Sequence, residues 1–272
     1  MPDTIPAPGF LRLIDHMGSD ASICRAARLS YGKADAERTA DDDEKLIRYL
    51  LRHRHTSPFE QTAIQIHVKA PIFVMRQWMR HRTWAYNEIS ARYTVLLEEV
   101  FVPKVMHGQA VDNKQGRGEP FGKDQNDAAI VDYRYAVGAA YGRYRTLLGR
   151  GVSREQARSV LPVAQYTEVV ATVNLHNALH FLRLRLDPHA QVEIRDYAEE
   201  LARIIADLYP ATYRAWVDYS RDAPTLSRME AEAIRAMLRG EAPDLSGMSA
   251  REQREFQAAW GATSIVAPLP AP

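Results

Sequence analysis

The sequence predicts a mixed α/β fold whose second half is rich in helix. Three observations carry that prediction. Residues 63–68 alternate apolar and polar side chains with the two-residue period of a strand. Leu46, Ile47, Leu50 and Leu51 recur at helical spacing. From about residue 126 onward, apolar periodicity and capping signals describe one helix after another.

In chain order, a helix is expected over 44–53, ended by Thr56-Ser57-Pro58. A strand follows at 63–68, and Pro71 suits the first turn of a new helix over 71–82. At about 100° per residue, Ile72, Val74, Met75, Trp78 and Met79 cover one arc of that helix, with Arg76, Gln77 and Arg80 opposite. A turn is expected over 85–90, then a β-rich strand over 92–103 closed by Pro103. Residues 104–127 are polar and glycine-bearing and read as a long loop. Helices are then expected over 127–148, after the Ser153-Arg-Glu-Gln box, and near 165–187 and 190–208. Beyond about 222 the chain changes to short helices, with capping boxes beginning at Ser227 and Ser249. The expected organisation is therefore a main domain over 1–222 and a helical extension over 223–272.

Composition narrows the function. In 272 residues, 35 Lys and Arg nearly cancel 34 Asp and Glu, so there is no global field to hold the chain on nucleic acid or a membrane surface. Any anion must be bound locally. One cysteine, Cys24, fits a reducing compartment and excludes Cys-rich zinc modules and a CxxC redox pair. It reads as a small core residue. With no signal-peptide pattern at the N-terminus and no run of about 20 apolar residues, the expected location is the cytoplasm.

The densest polar constellation runs from Arg80 to Tyr93: Arg-His-Arg-Thr-Trp-Ala-Tyr-Asn-Glu-Ile-Ser-Ala-Arg-Tyr. Guanidinium forks grip phosphate and imide oxygens bidentately, so Arg80 and Arg92 are candidate anchors for a phosphorylated ligand. Asn87 and Glu88 could read a base edge or a flavin-like ring. The same composition also suits a solvated basic helix end followed by a salt-bridged turn. A second cluster spans Asn174 to Arg185, where Leu175, Leu179, Leu182 and Leu186 form a core stripe. Asn174, Asn177, Phe181 and Arg185 then form a second face, on which Asn174 and Arg185 could hold one long ligand. A helix with its polar side in water is the alternative.

No metal site is expected. His53 with His55, and His176 with His180, could each supply imidazoles, but no HExxH motif or spaced carboxylates accompany them. Ser90 lacks a G-x-S-x-G context, and neither a P-loop nor G-x-G-x-x-G is present. An arginine-rich nucleic-acid module and a metal-dependent nucleotide hydrolase are the competing classes; the balanced charge opposes the first.

Arg80-His81-Arg82, then seven residues, then Ser90, resembles the RHR-x7-S signature of the flavin-dependent thymidylate synthases. The string from Tyr86 to Tyr93, His53-Arg-His-Thr-Ser-Pro-Phe-Glu60, Arg158-Ser-Val-Leu-Pro162 and Leu184-Arg-Leu-Asp-Pro-His-Ala-Gln191 extend the likeness over about 9–220. The resemblance implies helices flanking an antiparallel sheet, and a homotetramer whose FAD and dUMP sites are shared between subunits. It implies reductive methylation of dUMP, with methylenetetrahydrofolate as one-carbon donor, NADPH as reductant through FAD, and no cysteine nucleophile. Position by position, it implies dUMP contacts at Gln77, Arg80, Glu88, Ser90, Arg92, Arg158 and Arg185. Arg185 would lie beside the uracil. It implies flavin contacts at Ser30, Ser57, Glu60, Arg80, His81, Arg82, Asn87, Glu88, Asn174, His180 and His189, and folate contacts at His55 and Tyr93. Arg185, Ser90 and His55 are the implied catalytic set, with Ser90 orienting ligand rather than attacking it.

Overall fold

The computed structural model describes residues 5–34, 38–111 and 114–261. Its chain forms two compact units that divide after Arg221. Parts of the N-terminal expectation (1–4) and of the C-terminal extension (262–272) lie outside the described residues.

A four-stranded antiparallel sheet organises the first unit. Strands β1 (Phe10–Met17), β2 (Ala63–Pro71), β3 (Ala85–Glu88) and β6 (Tyr166–Val173) lie in the order β1-β2-β6-β3. The alternation seen in β2 does its expected work: Ile64, Ile66, Val68 and Ala70 are buried, paired through the ladder with Val173, Ala171, Val169 and Thr167 of β6. The opposite face is polar and half-buried, where His67 meets Glu168 at 3.0 Å and Lys69 meets Glu99 at 2.7 Å.

Helices cover the apolar face. They are α1 (Asp20–Leu29), α2 (Ala40–Arg52), α3 (Ile72–Trp78), α6 (Leu175–Arg185), α7 (Val192–Leu208) and α8 (Pro210–Trp216). Trp78 of α3 stacks on Phe181 of α6 at 4.6 Å, with Trp84 and Tyr197 edge-on around them. Cys24 lies fully buried in this core, as its isolation in the sequence suggested.

Three expectations are corrected. Residues 166–173 were expected in a helix over 165–187; they form β6, flanked on both sides by hydrogen-bonded strands, and the helix begins only at Leu175. Thr167, Val169, Val170, Thr172 and Val173 are β-branched, and ladder pairing outweighs the local helical signal. The turn expected over 85–90 contains β3. The strand expected over 92–103 is turn and irregular chain, with a single Val100–Gln165 bridge recorded beside the sheet. Its backbone groups are met singly instead: the Leu96 carbonyl accepts from Tyr141 Oη at 3.1 Å, and the Phe101 amide donates to Ala164 at 2.8 Å.

The loop expected over 104–127 holds a hairpin of β4 (His107–Gln109) and β5 (Arg117–Pro120), then the start of α4 (Lys123–Gly149). Gly118 is required there, because a Cβ would stand 2.9 Å from the Gln109 carbonyl oxygen. The short helix α5 (Arg154–Ala157) follows, capped by Ser153 as expected. In the second unit, α9 (Arg228–Leu238) and α10 (Ala250–Trp260) carry both expected capping boxes and bury Ala233, Met248 and Phe256.

Candidate active site

The core decides where the polar clusters point. Val74, Met75 and Trp78 bury one side of α3, which leaves Arg76, Gln77 and Arg80 opposite, as the helical wheel places them. The Met79 amide still closes an α-helical bond to Met75, after which the chain winds tighter, with Arg80 donating to Gln77 and His81 to Trp78. On α6, Leu175, Ala178, Leu179, Phe181 and Leu182 are buried, so His176, Asn177, His180 and Arg185 remain on the outer side.

These outer sides enclose an open cleft of about 1170 Å³. Its wall holds Arg76, Arg80, Arg82 and Arg185, with His81, His176, His180, Gln77 and Asn177, and contains no carboxylate. Clustered guanidiniums without counter-charges repel one another in the free chain and favour an anionic ligand. The donor set fits a phosphate or diphosphate group.

Arg185 is held from two sides. Its Nε donates to His81 Nε2 at 3.1 Å, and Nη2 donates to the Gln77 carbonyl at 3.3 Å. Burial and the neighbouring Arg80 lower the affinity of Arg185 for its proton. His81 is 7% exposed. Burial first, then the charges of Arg185 and His180, push its pKa down to about 4, so its imidazole is neutral. The Gln77 side-chain amide donates to Gln191 Oε1.

A second group lies along β3 and the turn after it. Glu88 accepts from Thr167 Oγ1 at 2.7 Å, and Asn87 is exposed beside it. Ser90 Oγ accepts from the Arg92 amide at 3.2 Å. Among the described residues no base is bonded to that hydroxyl. Arg92 reaches Glu155 at 3.8 Å, Arg154 donates to the Tyr93 carbonyl at 3.3 Å, and Arg158 is exposed just after α5. Tyr93 is 80% exposed.

A third group surrounds the end of α2. Tyr49, His53 and His55 form a fan of rings, with Tyr49 4.5 Å from His53 and 5.9 Å from His55. Arg54 between the histidines has φ of 57°, closing the helix with amide bonds from Arg54 to Leu51 and from His55 to Leu50. Ser57 and Glu60 are exposed on the following 3-10 turn, and Ser30 is exposed at the end of α1. His189 stands apart on Asp187 at 2.9 Å.

The structure thus gathers Gln77, Arg80, His81, Arg82, His180 and Arg185 into one cleft. Ser90, Arg92 and Arg158 sit elsewhere, as do Ser30, His55, Ser57 and Glu60; a bond from Tyr86 Oη to the His81 carbonyl, at 2.9 Å, links β3 to the cleft. Two further details differ from the sequence reading. Phe181 belongs to the core, not to a ligand face, because it stacks on Trp78. Asn174 does not share the cleft with Arg185; it caps α6, its Oδ1 accepting from the Asn177 amide at 2.9 Å, and Asn177 takes the place beside Arg185. Arg76 and Asn177 were absent from the expected contacts. Their signal was the polar side of each helical wheel. Among the described residues no three potential metal ligands converge, and no helix is long and apolar enough to cross a membrane.

Comparison with known proteins adds family membership to this geometry. Residues 12–211 match the family model described as thymidylate synthase complementing protein. The chain is 47% identical over 258 residues to a flavin-dependent thymidylate synthase of Ruegeria pomeroyi, covering 92% of this chain and 84% of that protein. With a flavin-dependent thymidylate synthase of Thermus thermophilus it shares 48% identity over 239 residues, 87% of each. Among solved structures, a UMP/dUMP methylase of Streptomyces cacaoi bound with 5-Br dUMP superposes with a TM-score of 0.73 at 35% identity, covering 81% of this chain and 99% of that one.

Proposed function

The chain belongs to the thymidylate synthase complementing protein family, that of the flavin-dependent thymidylate synthases, and we propose that it reductively methylates dUMP to dTMP. The observation that carries the reading is the cleft of Arg76, Arg80, Arg82 and Arg185 with no carboxylate in its wall, which favours anionic ligands such as a nucleotide and a dinucleotide cofactor. When bound, FAD carries reducing equivalents from NADPH to the one-carbon unit given by methylenetetrahydrofolate, which leaves as tetrahydrofolate.

The residues divide the work. Arg80, Arg92 and Arg158 neutralise the dUMP phosphate, and Gln77 and Glu88 orient the nucleotide. Arg185 keeps the guanidinium hydrogens not used by His81 and Gln77 for the uracil, where they stabilise negative charge as it develops. Ser90 orients ligand and does not attack it, in keeping with a hydroxyl that has no positioned base. Arg82, His81, His180, Asn174 and His189, with Asn87, Glu88, Ser30, Ser57 and Glu60, line the flavin, and His55 and Tyr93 face the folate. Cys24 takes no part: burial and the adjacent Asp43 raise its pKa to about 12, so it holds no thiolate.

Because one chain leaves these groups separate, the working site forms where copies meet, in a homotetramer. The enzyme works in the cytoplasm, where a single unpaired thiol stays reduced. The purified protein is expected to be yellow, with a flavin band bleached by NADPH, and to make dTMP from dUMP and methylenetetrahydrofolate. A colourless protein that takes up no added FAD and makes no dTMP would contradict the proposal.

A further inference from the structure

His81 and Arg185 are joined side chain to side chain in the cleft, and their bond has a fixed polarity. A guanidinium Nε always carries its hydrogen, so His81 Nε2 can only be the acceptor, at 3.1 Å. The proton of the neutral ring is therefore on Nδ1. Everything around His81 preserves that arrangement. Its amide donates to the Trp78 carbonyl at 2.9 Å, and its carbonyl accepts from Tyr86 Oη at 2.9 Å. Its ring lies edge-on to the fully buried Phe181 at 4.9 Å. Phe181 in turn stacks on Trp78, so the acceptor is anchored in the aromatic core.

We propose that His81 is a positioning residue for Arg185: its imidazole fixes the guanidinium plane by accepting from Nε, while the Gln77 carbonyl fixes one Nη2 hydrogen. Two of five guanidinium hydrogens are then committed to the protein, and the remainder are held toward the ligand. An unheld guanidinium at the end of a long side chain samples many rotamers, and a misplacement of about 1 Å can cost on the order of 100-fold in rate. His81 acts on the uracil side through Arg185. The inference rests on the reading of Arg185 as the uracil-side residue.

The test is a double-mutant cycle in the FAD-loaded enzyme. His81→Phe keeps a ring against Phe181 but removes the acceptor, and His81→Gln restores an acceptor at about the reach of Nε2. The expected result is a fall of about 10- to 100-fold in kcat/KM for dUMP with His81→Phe, on the scale of a misplaced catalytic group. His81→Gln should recover most of the loss, and His81→Phe should add little once Arg185→Ala is present. Two results overturn the proposal: unchanged kcat/KM in His81→Phe, or a loss of kcat/KM in His81→Phe that adds fully to the effect of Arg185→Ala. Should His81→Phe not fold, His81→Gln against the shorter His81→Asn makes the same comparison. Failure of the underlying reading shows differently, as an Arg185→Ala enzyme with normal kcat/KM for dUMP.

Discussion

The cleft between α3 and α6 and the segment from Ser90 to Arg158 carry the same kinds of residue, arranged in opposite ways. In the cleft Arg76 and Arg185 rise from helices whose other sides are sealed in the aromatic core, Arg80 and Arg82 follow on the turn after α3, and the cleft wall holds no carboxylate. Arg185 already has its guanidinium bonded to the protein at two hydrogens. Along the second segment, Arg92 leans on Glu155 at 3.8 Å, and Tyr93 on a turn and Arg158 at the start of a 3-10 turn stand exposed. The lesson is that the core beneath the cleft preorganises its arginines within one chain, whereas the residues of the second segment are left exposed.

The largest effect should come from breaking the support beneath the cleft. Phe181→Ala removes a fully buried ring stacked at 4.6 Å on Trp78, and should cost about 3–5 kcal/mol in denaturant titrations. Tyr93→Ala, at an 80% exposed position, should leave stability nearly unchanged while lowering activity. Equal losses in the two variants would erase the distinction between the halves.

Next in size, Arg185→Ala should lower dTMP formation by about 100- to 1000-fold, the cost of losing one donor aimed at developing charge. Its flavin spectrum should persist. Loss of FAD from that variant would show that nucleotide and flavin contacts were divided wrongly.

Acid should weaken the cleft selectively. The pKa of His81 is held near 4 in the folded chain, below its ordinary 6.5, so the unfolded chain takes up the proton first as pH falls. Stability should therefore decline from about pH 6.5 down to about 4, by roughly 2–3 kcal/mol. His81→Gln should flatten this part of the pH–stability curve. An unchanged slope in that variant would assign the loss to other groups.

The smallest effect belongs to the loose half. Glu155→Gln releases Arg92 from a long, exposed contact, and thermal unfolding should report a change of less than about 0.5 kcal/mol. A larger loss would mean that the segment is already organised within one chain.

What the sequence made legible follows the same division. Capping boxes at Ser227 and Ser249 were readable because their bonds close within four residues. The polar side of α3 was readable because helical period and burial agree there. β6 was not, since its identity as a strand depends on β2 and β3, which are far away in sequence. For Asn174 and Phe181 the wheel placed both on one face with Arg185, yet the cap and the Trp78 stack claim them. The arginine cluster was visible as chemistry, through its residue types; which arginines share a cleft needed the fold. Whether the separate groups form one site depends on contacts between copies, which no local pattern encodes.

Subunit complementation tests that last point most directly. Arg185→Ala and Arg158→Ala chains, each inactive alone, would be co-expressed with different tags, and mixed oligomers isolated by two affinity steps. If one site draws Arg185 from one copy and Arg158 from another, some sites in the mixture are intact, and dTMP formation should rise well above either parent. Mixed oligomers no more active than the parents would contradict a site shared between copies.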